Sequence, residues 1–373
     1  MERWCSLMEN ILEYKQKETN GHINNVYQYK NIISPFCNKE VTTNLSSTGN
    51  IVIDKNYGLT YDRELIQHHA AVYGYEEAIP DYSGDQLVTD GYLRVPFRKI
   101  PRINISNRVE LDALLSSIES RDPNLKLLFR GQNSEYFIKR KAEENLALYG
   151  SETVLEPSLI PSAVRRNVLI EDVMPLWNSM LHTYLDKNIL SLPIHEQKIA
   201  SRELANFKIS PKFGMFSLAL AQHYGLPSVG LDATDNIETA LFFATHKFET
   251  TNGSSSYTYN LHEMTERPVI YILSPPEKFH LDYDDFKPAG LDFLRPDKQG
   301  AKFLHTGWGL NQNRCARHIW IALYLDPCGD FGSISKAEDL FPKTDSFANE
   351  IKPIIDMIIN EKLSPYFENF YTL

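Results

Sequence analysis

Cysteine is scarce in this chain. It has four in 373 residues (Cys5, Cys37, Cys315 and Cys328), none of them in CxxC spacing. Four dispersed thiols make no disulfide framework, and they fit a reducing, cytoplasmic compartment. Positive charge is also in the minority: 38 Lys and Arg against 48 Asp and Glu leave a formal charge of −10. No global basic field is present to draw in nucleic acid. No apolar run approaches the roughly 20 residues that span a bilayer. The amino terminus, Met1-Glu2-Arg3-Trp4-Cys5, lacks a basic stretch followed by an apolar one. The sequence therefore predicts a soluble protein with no signal peptide and no membrane partner.

The common site signatures are missing too. There is no GxGxxG after a strand and no GxxxxGK[ST], so neither a Rossmann dinucleotide site nor a P-loop is supported. There is no HExxH, no Cys/His cluster and no GxSxG elbow. The adjacent pair His68-His69 diverges on a helix, which makes a poor metal couple. No metal site is expected.

What is present is the material of a folded protein: 42% hydrophobic residues, 23% charged, and 39 Phe and Tyr to fill a core. Residues 1–100 are rich in Asn, Tyr and Thr and weakly periodic, and they read as an N-terminal extension or subdomain. Ile51–Ile53 is a strand candidate there and Asp62–Tyr73 a helix candidate. The main domain is expected over 101–330, with 331–373 a C-terminal helical segment packed on it. A helix N-capped by Ser106 would carry an apolar stripe of Val109, Leu111, Leu114, Leu115 and Ile118. Residues 170–207 look largely helical. Phe213–His223 forms another helix, closed by Gly225. Asp235-Asn236-Ile237-Glu238 has capping spacing ahead of the Ile237–Ala244 helix. Strands are expected at Lys126–Phe129, Val269–Leu273 and Ile319–Leu325, a polar surface loop at 250–267, and a last helix near Pro353. Short strands among helices, without regular βαβ spacing, predict an α+β fold.

Three segments hold the candidate chemistry. A strand ending in Phe129-Arg130-Gly131 presents a guanidinium to a phosphate, with Gln132 as a neutral donor beside it; equally, Arg130 is a structural ion-pair partner. Gln222-His223-Tyr224 and Asp232 gather an amide, an imidazole, a phenol and a carboxylate within eleven positions. They read either as site residues or as core and capping groups, as does Thr234. Arg295…Gln299-Gly300 alone reads as a solvated turn, with Asp297 a reserve carboxylate.

Together these segments resemble the FRG domain family. Phe129-Arg130-Gly131 is its namesake tripeptide. Pro157-Ser158-Leu159 and Gln222-His223-Tyr224-Gly225-Leu226-Pro227 match family elements, as do Leu231-Asp232-Ala233-Thr234 and Ala240-Leu241-Phe242-Phe243-Ala244. Arg295…Gln299-Gly300 is similar to its late segment. The resemblance spans about residues 105–305. Ala233 stands where the family has Trp and Val229 where it has Arg, which removes an aromatic surface and a cation.

FRG domains are similar to ADP-ribosyltransferases, which implies a split, mixed β-sheet core with peripheral helices and NAD as substrate. By that resemblance Arg130, Gln132, Tyr224, Thr234 and Arg295 would bind NAD, and Gln299, Asp232 and His223 would act in catalysis. The resemblance also implies a macromolecular acceptor, protein or nucleic acid, and a toxin or phage-defence role. A non-catalytic nucleotide- or protein-binding module and a nucleic-acid-directed effector are the alternatives. Oligomeric state is not legible in the sequence.

Overall fold

The structure, a computed structural model, describes residues 45–48, 51–54, 60–62, 90–95, 98–121, 126–139, 142, 145, 152–165, 173–251, 254–263, 267–275, 280–283, 293–305, 313–358 and 364–367. The expected helix at 62–73 and His68-His69 lie outside these residues, Asp62 excepted. The Ile51 strand is present: β1 (Leu45–Thr48), β2 (Ile51–Asp54) and β3 (Thr60–Asp62) form a three-stranded sheet.

Among the described residues the main sheet has eight strands. In chain order these are β4 (Gly91–Val95), β5 (Arg98–Asn107), β6 (Leu128–Gln132), β7 (Gly230–Thr234), β10 (Val269–Leu273), β11 (His280–Asp282), β12 (Ala301–His305) and β13 (Ile319–Asp330). A two-stranded hairpin, β8 (His246–Thr251) and β9 (Ser254–Tyr259), lies between β7 and β10 in the chain. The spatial order of the main sheet is β11-β12-β7-β6-β10-β13-β5-β4. Only β13 and β5 run parallel, so the sheet is mixed and the fold α+β, as expected. The sheet starts at Gly91, ahead of residue 101.

The strands at the centre are covered on both faces, as their sequences demand. All five residues of β10, Val-Ile-Tyr-Ile-Leu, are buried. On one face Ile321, Leu323 and Leu325 of β13 meet α1 (Arg108–Arg121) through Leu111, Leu115 and Ile118. On the other, Ala322 and Tyr324 join Leu128, Leu231 and Tyr271. A third core is built by α2 (Met174–Leu190), α3 (Ile194–Lys208), α4 (Pro211–His223) and α7 (Ser346–Ile358) against Phe303 of β12. Its aromatic centre holds Trp177 edge-on to Phe347 at 5.6 Å and Phe216 edge-on to Phe293 at 5.3 Å. Each such side chain contributes about 1.5–3 kcal/mol by leaving water, set against the entropy of ordering it.

Local chemistry moved several boundaries. The 170–207 stretch is two helices, because Pro193 disfavours helical backbone at the residue before it and starts α3 itself. Asn107, not Ser106, caps α1 by accepting from the Glu110 amide at 3.1 Å, and Val109, in the first turn, is exposed and stays outside the stripe that Leu111, Leu115 and Ile118 bury. Asn236, not Asp235, caps α5 (Ile237–Thr245), accepting from the Glu238 amide at 2.9 Å. The last long helix begins at Ser346 rather than near Pro353. Asp345 caps it through the Ala348 amide, and Pro353 sits inside it. The β8–β9 hairpin runs from His246 into the expected 250–267 loop, and its Tyr257 stacks on Phe341 at 5.0 Å. Polar Thr, Ser and Tyr favour a half-exposed strand, so polarity alone misread it.

Candidate functional site

The site begins with an incomplete strand pairing. β6 pairs with β10 over five residues but with β7 at one position, Phe129 opposite Thr234. Beyond that point the two strands part. Strand alternation puts Leu128 and Arg130 on the Tyr271 face and Phe129 and Gly131 on the α5 face. Arg130 reaches across the gap, and its Nη1 donates to the Asp232 carbonyl at 2.5 Å. Gly131 explains the approach of α5: a Cβ there would lie 1.9 Å from the Ala240 carbonyl oxygen.

The gap opens into a cavity of about 210 Å³. Arg130, His223, Asp232, Thr234, Thr239 and Gln299 supply its polar lining, and Phe129, Ala233 and Phe243 its apolar walls. Four residues from three distant segments, Arg130, His223, Asp232 and Gln299, thus converge. Among the described residues four buried polar atoms around this cavity have no hydrogen-bond partner: Arg130 Nε, Thr239 Oγ1, and the facing pair His223 Nε2 and Asp232 Oδ1. Buried polar atoms are nearly always paired, so four orphans at one cavity mark a place built for a ligand.

His223 is the last residue of α4, and the helix stops there because Gly225 adopts φ +87°. The Gly225 and Leu226 amides donate to the Gln222 and Ala221 carbonyls at 3.0 Å each, a Schellman closure. That turn aims the imidazole at β7. His223 Nε2 and Asp232 Oδ1 stand 3.4 Å apart, with the histidine side chain 3% exposed and the aspartate 31%. Gln299 lies beside the histidine side chain, and its Nε2 donates to the Leu340 carbonyl at 3.1 Å. Among the described residues neither His223 Nε2 nor Asp232 Oδ1 has a hydrogen-bond partner, and each faces the other. Burial holds its pKa below the ordinary imidazole value, although Asp232 pulls the other way.

Arg130 has no ion-pair partner among the described residues; its bond to the Asp232 carbonyl is with the main chain. Burial lowers its pKa, partly offset by Asp232. Asp232 Oδ2 accepts from Gln222 Nε2 at 3.2 Å. The Thr234 hydroxyl donates to the Gln299 carbonyl at 2.7 Å and ties the late segment to β7.

Three expected site residues lie elsewhere. Gln132 is on β6 beyond the cavity lining, its Oε1 buried without a partner. Tyr224 is fully buried behind the site, where its hydroxyl donates to Asp345 at 2.7 Å. Arg295 stacks on Tyr224 at 4.6 Å and its Nη1 donates to the His223 carbonyl at 3.3 Å, so it braces the histidine's backbone. The Arg295–Gln299 segment is not a turn: α6 (Leu294–Lys298) runs through it. Two helical positions diverge by about 200°, so Asp297 is exposed while Gln299 is buried. Thr239, Phe243 and Tyr283 were missed; Tyr283 packs edge-on to His223 at 4.9 Å. Thr239 and Phe243 were legible in the α5 block as positions one turn apart. Tyr283 carried no sequence signal.

The histidines set an expected pH response. His182, His223 and His246 are all held below the ordinary value, burial being the main cause for each. A group whose folded pKa is depressed contributes stability above its unfolded value near 6.5 and loses it as pH falls. Melting temperature should therefore drop as pH is taken from 7 toward 5, and His223→Gln should flatten part of that slope. A melting temperature that rises over this interval would contradict the assignment.

Among the described residues no helix is long and apolar enough to cross a membrane, and no group of His, Cys, Asp and Glu could hold a metal ion. No curated protein and no solved structure matches the chain. The model of the FRG domain matches residues 126–253, which include the tripeptide, His223, Asp232 and all of α5 but not Gln299. With the strand that presents Arg130, the helix end that presents His223 and the strand that presents Asp232 all inside that match, residues 126–253 are an FRG domain.

Proposed function

We propose that this chain is an ADP-ribosyltransferase-like enzyme that cleaves the nicotinamide–ribose bond of NAD and passes ADP-ribose to a macromolecular acceptor. The observation that supports it most is the convergence of an unpaired guanidinium, a neutral histidine and a carboxylate on one cavity at a parted strand pair. At about 210 Å³ the cavity is smaller than the roughly 300–1,000 Å³ that encloses a drug-sized ligand. That leaves room for the nicotinamide–ribose end with the diphosphate at its mouth, and the adenosine half stays outside.

In this reading Arg130 Nε donates to the diphosphate. The C1′–N bond breaks with its electron pair leaving on nicotinamide, and positive charge develops on the ribose. Asp232 Oδ1 faces that charge, in a site where partial burial strengthens the attraction. The acceptor nucleophile bonds to C1′ and its proton passes to His223 Nε2, which is free to receive it. Phe129 and Phe243 form the dry walls that disfavour hydrolysis. The acceptor would define a toxin or phage-defence effector acting in the cytoplasm.

The test is nicotinamide release from NAD by the purified chain, with Asp232→Asn expected to lower kcat by about 100-fold. NAD that raises the melting temperature without turnover in any acceptor mixture would replace this reading with that of a binding module.

A further inference from the structure

Asp232 presents two oxygens that are not equivalent, and residues outside the cavity lining make them so. The backbone amide of Ser228 donates to Ser162 Oγ at 3.0 Å. Ser162 Oγ donates to Gln222 Oε1 at 3.4 Å, and Gln222 Nε2 donates to Asp232 Oδ2 at 3.2 Å. Every donor in this chain points the same way, from a fixed backbone group to the carboxylate. Turning the Gln222 amide over would set its oxygen against Asp232 Oδ2, two acceptors with no proton between them. Oδ2 is therefore occupied, and Oδ1 is the oxygen left toward His223 Nε2 and the cavity.

We propose that Gln222 is the positioning residue for Asp232, acting through the Ser228–Ser162–Gln222 chain to hold Oδ1 toward the cavity and beside His223. It rests on Asp232 being the carboxylate that meets the ribosyl cation, and it adds a residue that touches neither substrate nor leaving group. Around His223 the other charged and titratable groups are Arg295, whose Nη1 donates to its carbonyl, and Tyr283, whose hydroxyl is spent on the Ala219 carbonyl at 2.6 Å. Neither competes for Nε2.

The experiment titrates the His223 ring by nitrogen–proton correlation spectra of the ligand-free full chain, the signal being identified by its loss in His223→Gln. Removing the donor in Gln222→Leu frees Asp232 to share a proton with His223, and the midpoint should rise by about one pH unit. Gln222→Glu, which also adds a charge, should raise it further. In parallel, kcat for nicotinamide release should fall about tenfold in Gln222→Leu with KM for NAD nearly unchanged, since the residue acts through another. A His223 midpoint that stays at the wild-type value in both folded variants overturns the proposal, whatever their activity. A wild type inert toward NAD, with both midpoints displaced, removes the NAD reading and leaves the positioning role standing.

Discussion

Arg130→Ala is expected to lower nicotinamide release by at least about 100-fold while leaving the melting temperature close to that of the wild type. Both halves follow from what the side chain touches. Its Nη1 makes one hydrogen bond, to a main-chain carbonyl, and its Nε makes none. A buried cation with so few partners contributes little to folding, because taking it out of water costs about as much as its single bond returns. Alanine leaves the Asp232 carbonyl short of a donor, but it also relieves that desolvation. The activity half depends on the free Nε: nothing else among the cavity's polar lining carries a positive charge. Loss of fold on substitution would instead make Arg130 a structural brace. Arg130→Lys should not rescue activity, since a single ammonium cannot bond the β7 carbonyl and a phosphate in the planar fork geometry.

Gly131→Ala should destabilise the protein by about 3 kcal/mol, lowering the melting temperature by roughly 6–12 °C. The added carbon would sit 1.9 Å from the Ala240 carbonyl oxygen and 2.9 Å from the Ala244 nitrogen. Those are backbone atoms of α5, so no side chain can swing aside and the whole helix must retreat. Its retreat would carry Thr239 and Phe243 off the cavity and cost activity as well. Denaturation monitored by circular dichroism checks the first effect, and a variant melting with the wild type would mean that α5 is not seated on β6 as described.

The sequence carried the elements whose chemistry is local. Gly225 ends α4 because a left-handed residue is needed there, and the alternation of Ile321, Leu323 and Leu325 follows from the two-residue period of a strand. The FRG tripeptide and the Gln222–Ala244 block were legible as motifs, and Arg130, His223, Asp232, Thr234 and Gln299 do line one cavity. Their partners were not legible. Tyr224 and Arg295 carry groups as polar as those of the site, yet they neighbour each other and Phe341 behind it. Sequence spacing says nothing about which side of a helix end faces a cavity and which faces α7.

By itself, then, the chain's order of residues determined most of the strands and helices, the Gly225 end of α4 and the family of the central segment, because each depends on neighbours within a few positions. Only the tertiary structure decided that β6 and β7 part after a single pair and that a carbonyl rather than a carboxylate receives Arg130. It also decided that Gln222 serves Asp232 while Gln299 lies beside His223. Those outcomes turn on contacts between segments up to a hundred or more residues apart, where a hydrogen bond is made or missed within a few tenths of an ångström.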